Sequence, residues 1–218
     1  MGWKTMSYKN AREQMKAGDV IAFSGKGEFS EIIKWATRAA VSHVGVVFQT
    51  QVIVNGKPIM DMQNQIIEST TLNGKSGVQT NWLSSRATNY PGEVWWLPLR
   101  REIQGKMDHG QFFNFLISQV GKEYDLPQAI RSALDAMDDI PILSRITQNS
   151  EDFSKFFCSE LVAAGLESAG VLKNVNSSEV TPIDLCMFNI FEEDYYQLKG
   201  DRKDIRGFNS LEPTGWGE

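Results

Sequence analysis

The chain has only two cysteines in 218 residues, Cys158 and Cys186. Two thiols cannot form the disulfide framework of a small secreted scaffold, and their separation matches no zinc-binding pattern. Reduced thiols are the simplest reading, with one bridge between them as the alternative. An excess of basic charge is also missing: 22 Lys and Arg stand against 27 Asp and Glu, a formal net charge of -5. The basic residues are spread along the chain, so the electrostatic footprint that nucleic acid requires is lacking and no nucleic-acid partner is expected. Nor is there an apolar run of the roughly 20 residues that a helix needs to cross a bilayer. The opening residues MGWKTMSYKN carry neither the apolar core nor the cleavage site of a secretory signal, and Met6 stands where a myristoylation motif wants Ser or Thr. These absences lead to the expectation of a cytoplasmic protein with no transmembrane segment. No internal repeat or low-complexity stretch stands out.

With 41% hydrophobic and 22% charged residues, the chain can bury one good core, and a single domain over 1–218 is the default. The run DVIAFS at 19–24, after Ala17-Gly18, reads as a buried first strand. Phe29, Ile32, Ile33, Trp35, Ala36 and Ala39 recur at mostly three- and four-residue spacing and predict a helix over 28–40. The stretch His43 to Val54, then Asn55-Gly56, then Lys57 to Ser69 is the strongest hairpin signal, because Asn-Gly suits the two positive-φ positions of a tight turn. Such a turn pairs Val54 with Lys57 and, carried along without interruption, His43 with Glu68. Directly opposed residues share a face with Cβ atoms about 4.5–5.5 Å apart, close enough for a carboxylate to hold an imidazole. A bulge within 61–65 would shift this register.

Residues 93–99 (EVWWLPL) predict another strand, with Pro98 pushing its end towards a sheet edge. Asp108 is placed to cap a helix that runs to Val120 and closes at Gly121, and Pro127 to open a further helix to about Met137. The acidic stretch within about 126–155 reads as an insertion, a lid or a plain loop. Residues 159–169 predict a helix closed by Gly170, Thr181-Pro182 begins a short helical turn, and 191–198 supply a last strand. The tail 200–218 is expected to be peripheral.

Cys158 lies in Phe156-Phe-Cys-Ser-Glu-Leu161, where an apolar segment passes into a helix. Unpaired backbone N–H groups and the positive end of the helix dipole at such a place favour thiolate over thiol. The bland alternative is a small buried hydrophobe, and Cys186, in Asp184-Leu-Cys-Met-Phe188, is read that way. His43, beside small Ser42 and Gly45, has room for a thiol or a substrate. His109, after the capping Asp108, needs no more than an exposed place at a helix start. A nucleophile needs a base, and the base needs an acceptor on its other ring nitrogen, so Cys158, His43 and Glu68 explain more together than singly. Gly74-Lys-Ser76 is set aside as a phosphate loop because Ser69 occupies the place of its first glycine. Gly25-Lys-Gly27 reads as a turn, and Asp135, Asp138 and Asp139 as a solvated helix end rather than a cation site.

Four segments, Gly18-Asp-Val-Ile21, Ser42-His-Val-Gly-Val46, Ile67-Glu-Ser69 and Phe157-Cys-Ser-Glu-Leu-Val162, follow one another in an order that resembles a known family. It is the circularly permuted branch of the NlpC-type papain-like cysteine hydrolases, which includes the YiiX-like proteins and, more distantly, lecithin:retinol acyltransferase. The likeness spans residues 18 to 190 in outline. It implies an α+β fold in which an antiparallel sheet carrying His43 and Glu68 packs against the helix of the nucleophile Cys158. Gly121-Lys-Glu-Tyr124 is similar to the family's Gly-x-Pro-Tyr segment, departing from it at Glu123, and by that match the Tyr124 hydroxyl supports the oxyanion site. The activity implied is a cysteine hydrolase or acyltransferase that cuts an amide or ester through a Cys158 thioester, on a lipid acyl or peptide substrate. Neither a metal nor an organic cofactor is implied. Trp35, Trp82, Trp95 and Trp96 either line an apolar acyl groove or belong to the core. A catalytically idle binding module on the same scaffold is the competing expectation.

Overall fold

A computed structural model describes residues 2–26, 40–50, 53–54, 57–58, 63–122 and 157–217. The expected helix over 28–40, the helix after Pro127, the insertion at 126–155, and Tyr124, Trp35, Asp135, Asp138 and Asp139 lie wholly or almost wholly outside them. The architecture is α+β. Its centre is a seven-stranded sheet in the order β1-β9-β8-β2-β3-β6-β7, formed by β1 (Gly2–Thr5), β2 (Val20–Ser24), β3 (His43–Gln49), β6 (Gln65–Leu72), β7 (Lys75–Trp82), β8 (Glu93–Leu97) and β9 (Asp194–Lys199). All neighbours are antiparallel except β1, which runs parallel to β9. A separate two-stranded ribbon joins β4 (Ile53–Val54) to β5 (Lys57–Pro58).

Alternation along the central strands sorts their side chains into two cores. Val20, Ala22, Val44, Val46, Ile67, Trp95 and Leu97 pack with residues of α4 (His109–Gln119), α5 (Phe157–Ser168) and α6 (Pro182–Met187). Ile21, Phe23, Val47, Ile66, Val94 and Trp96 pack on the other face with Ala11 of α1 (Tyr8–Ala11), Leu83 of α2 (Leu83–Asn89) and Tyr90. The short α3 (Arg101–Gln104) follows β8. Burial on both faces explains why β2 and β8 read as continuous apolar runs rather than alternating ones.

The helix ends follow the expected chemistry. Asp108 caps α4 by accepting from the Gln111 N–H at 3.0 Å, and Gly121 beyond its end has φ 81°. Gly170 follows α5 with φ 73°, a backbone region that costs glycine least. Thr181 and Asp184 form a reciprocal capping box at the start of α6. The α4 and α5 helices approach closely at Gly165, where an added Cβ would stand 3.0 Å from Leu116 Cδ2.

Two sequence expectations need correction. Strand β8 is interior, between β9 and β2; Pro98 lies one residue past its end, so its missing N–H costs the ladder nothing. The C-terminal tail is not peripheral throughout, since Ile205, Phe208 and Asn209 are buried and Leu211 bridges to Phe188. Of the two readings left open for the tryptophans, Trp95 and Trp96 take the core one, each in a different cluster.

Asp19 ties the turn before β2 to β8. Its carboxyl accepts the Lys16 N–H at 2.9 Å, the Leu99 N–H at 3.0 Å and the Trp96 indole N–H at 2.8 Å. Burial, only partly offset by these donors, raises its pKa to about 6. The folded form therefore holds the Asp19 proton more tightly than the unfolded chain does. The resulting stabilisation is complete below about pH 4 and lost as pH rises through about 6. At about 1.4 kcal/mol per pKa unit this amounts to about 3 kcal/mol. Urea unfolding of wild type and Asp19→Asn between pH 4 and 7 checks it: the wild type is expected to lose stability relative to the variant over that window.

Candidate active site

Two hairpins bring the candidate residues to one end of the sheet. In the ribbon, Val54 pairs with Lys57 and Ile53 with Pro58, as the Asn55-Gly56 signal predicts. The register then changes: Gln49 pairs with Gln65, while Val47 and Val46 pair with Ile66 and Ile67 across an irregularity. Continued along the strands, this sets Gly45 opposite Glu68, so His43 is displaced from Glu68 by two residues. A displacement of two keeps both side chains on the same face, whereas one residue would have put them on opposite faces. The diagonal distance is within reach of long side chains. The His43 Nε2 lies 2.6 Å from Glu68 Oε2 in a fully buried hydrogen bond. Glycine at 45 helps the strands close there, since a Cβ on it would stand 3.2 Å from Glu68 Cβ and 3.3 Å from the Ile67 carbonyl oxygen.

Glu68 has no exposure and several partners. Asn81 Nδ2 donates to its Oε1 at 2.9 Å and Arg86 Nη2 to its Oε2 at 2.9 Å, while Arg86 Nε stands 2.7 Å from Oε1. The guanidinium is itself held over two aromatic rings, 5.1 Å from the Phe23 centroid and 5.2 Å from that of Tyr90. Burial pushes the Glu68 carboxyl up, but the His43 hydrogen bond and the Arg86 charge outweigh it and bring the pKa down to about 2. Glu68 is thus a carboxylate throughout the physiological range. Phe23 also flanks the imidazole, with ring centroids 5.3 Å apart.

Cys158 is the second residue of α5, a helix that packs against β3 and β6. The paired section of β3 and β6 ends at Val46 and Ile67, and at Val44 the β3 backbone N–H bonds the Cys158 sulfur. The sulfur is thereby held at the residue next to His43. The Ser159 and Cys158 N–H groups of the first helical turn also act to lower its pKa, as the helix N-terminus argument requires. They do not win. Cys158 is completely buried, and burial, together with the nearby charge of Glu68, pushes the thiol up to about 12. The expected resting thiolate is therefore corrected to a protonated thiol. Cys186 is buried in the same core, and both cysteines are outside any disulfide.

Sequence reasoning missed Asn81, Arg86 and Tyr90. The Tyr90 hydroxyl bonds the Ser42 side chain, and Ser42 Oγ accepts from the Gly25 N–H at 3.1 Å. Asn81 had a readable signal. Asn73 and Gly74 have φ 53° and 75°, and this second Asn-Gly turn runs uninterrupted from Leu72 with Lys75 to Glu68 with Gln79. That register alone puts Asn81 on the diagonal from Glu68. Nothing in the spacing of 83–89 singles out Arg86. His109 is exposed at the start of α4, and Lys75 and Ser76 begin β7 rather than a phosphate loop. Among the described residues, no group of three or more His, Cys, Asp or Glu side chains is gathered to hold a metal ion, and no helix is long and apolar enough to cross a membrane.

No family model and no curated protein matches the chain in sequence. Among solved structures, the metalloprotein yiiX from Escherichia coli O157:H7 is similar, at 20% identity and a TM-score of 0.43, covering 72% of this chain and 67% of that one.

Removing Arg86 leaves a buried carboxylate without its main countercharge. Arg86→Ala is expected to lose about 3–5 kcal/mol, the usual cost of orphaning one member of a buried pair, measured by urea unfolding at pH 7. The Cys158 thiol is expected to react with iodoacetamide far more slowly at pH 8 than an exposed cysteine, with the rate still climbing above pH 10, as followed by intact mass.

Proposed function

We propose that the chain is a cysteine hydrolase or acyltransferase of the permuted NlpC-type, YiiX-like kind, with a more distant likeness to lecithin:retinol acyltransferase. Cys158 is the nucleophile, His43 the base and Glu68 the orienting carboxylate. One observation carries the reading: the sulfur is bonded to the backbone beside an imidazole that is already locked to an ionised, fully buried carboxylate. The four sequence segments given above support it independently.

The chemistry follows from the protonation states. A thiol with a pKa near 12 is no preformed thiolate, so its proton must leave as the sulfur attacks. With Nε2 engaged by Glu68, the base is His43 Nδ1, which takes the thiol proton while sulfur bonds the acyl carbon. Glu68, with its pKa near 2, stays anionic and stabilises the imidazolium. Negative charge on the acyl oxygen is met by the Cys158 N–H and, on the family pattern, by the Tyr124 hydroxyl. As the tetrahedral adduct collapses, the leaving amine or alcohol takes the proton from His43 and a thioester remains. Water, or an acceptor hydroxyl or amine, then gives its proton to His43 and attacks the thioester, returning Cys158 as a thiol. The substrate is an amide or ester of a lipid acyl chain or a peptide.

Complete burial of the sulfur favours a second reading, a catalytically idle binding module. Incubation with acyl phospholipids and with muropeptides, followed by intact mass, separates the two. The proposal expects a covalent adduct of acyl mass on wild type and none on Cys158→Ala, with His43→Ala forming it at least about 100-fold more slowly. Identical spectra for wild type and Cys158→Ala across both substrate sets would leave the idle module standing.

A further inference from the structure

A cavity of about 410 Å³ lies between the β6–β7 hairpin and α2, within the roughly 300–1,000 Å³ typical of small-molecule sites. Such sites are mostly apolar; this one joins apolar surface from Leu72, Trp82, Tyr90 and Pro91 to a set of neutral polar groups. Its wall presents Gln65, Asn73, Thr80, Asn81, Ser85 and Asn89. An amide offers a donor and an acceptor at fixed spacing, and a hydroxyl offers both on one atom. The wall therefore suits a ligand that likewise carries donors and acceptors in pairs.

Charge narrows the class further. Arg86 is the one charged side chain lining the cavity among the described residues, and its charge is already matched by Glu68 at 2.7 Å. An anion would have to compete with a buried carboxylate for the guanidinium, and a cation would meet the guanidinium itself. A neutral ligand pays neither penalty. The same wall carries Trp82, which is 38% exposed and, with Ile117 and Val120, one of three exposed large apolar side chains among the described residues. An exposed indole beside amides is suited to a ring with apolar C–H faces and hydroxyl edges.

We propose that this cavity binds a neutral polyhydroxylated ring, a pyranose sugar, stacked on Trp82 with its hydroxyls bonded to the surrounding amides. Asn81 and Arg86 line the cavity and also hold Glu68, so the occupant sits one side chain away from the His43–Glu68 pair. The binding site stands whether or not the acyl-transfer reading above is correct, because it is measured as binding.

The test uses the whole chain and saturation-transfer NMR with methyl α-glucoside, methyl β-galactoside and maltose, alongside glucuronate and inorganic phosphate as anions. Saturable binding of at least one neutral sugar is expected, with Kd on the order of 1 mM. Trp82→Ala and Asn89→Ala, both altering exposed side chains, are each expected to weaken it at least tenfold while circular dichroism stays native. Should Trp82→Ala alone disturb the fold, Asn89→Ala decides. The proposal is overturned if no neutral sugar saturates by about 100 mM, if the anions bind more tightly, or if the folded variants bind like wild type.

Discussion

A carboxylate with no access to water sits at the meeting point of four structural elements, and the candidate site is organised around keeping its charge satisfied. Glu68 on β6 is met by His43 from β3, Asn81 from β7 and Arg86 from α2. Each partner fixes the strand or helix that carries it. The guanidinium is fixed in turn by Phe23 and Tyr90, which belong to the same core cluster. Desolvation penalises such an ion heavily unless its lone pairs are filled. The apolar packing and the polar network are therefore parts of one arrangement, and the imidazole takes its orientation from both.

The thiol shows what happens when the same desolvation is not fully answered. Three backbone N–H groups act to lower its pKa, yet burial dominates. Helix termini contribute modestly at exposed sites, about 0.3–1 kcal/mol, and full removal from water costs several times that. The contrast with Glu68 is instructive: a full countercharge reverses the effect of burial and partial charges do not. Under the proposed mechanism, a thiol held this way rests in an unreactive form and relies on a neighbouring base to release it.

The sequence made much of this legible for identifiable reasons. Strand β2, the α4 and α5 helices and the start of α6 announced themselves through apolar runs, Asp108, Gly121, Gly170 and Thr181-Pro182, all local signals. His43 and Glu68 were linked by turn chemistry. Their register was misjudged because the pairing changes between the Val54–Lys57 ribbon and the Gln49–Gln65 pair, and again between Gln49 and Val47, changes that leave no local mark. The parallel pairing of β1 with β9 joins the two ends of the chain, and no local pattern encodes it. Arg86 was hidden for a related reason, since an arginine on a short helix looks solvated until the buried carboxylate beneath it is known. The tail was misread because Ile205 and Phe208 are isolated apolar residues in a charged stretch, and only their tertiary partners bury them.

The two-residue slip between β3 and β6 has a bearing on how this region can change. Because pleated strands alternate sides, a slip of two returns every side chain to its original side, whereas a slip of one would send the carboxylate and its neighbours into the opposite core. A residue gained or lost between the strands is therefore tolerated where the connection or a bulge takes it up, as the irregularity between Val47 and Gln49 already does. Length variation among descendants of this chain should collect there, leaving the imidazole and its carboxylate on one face.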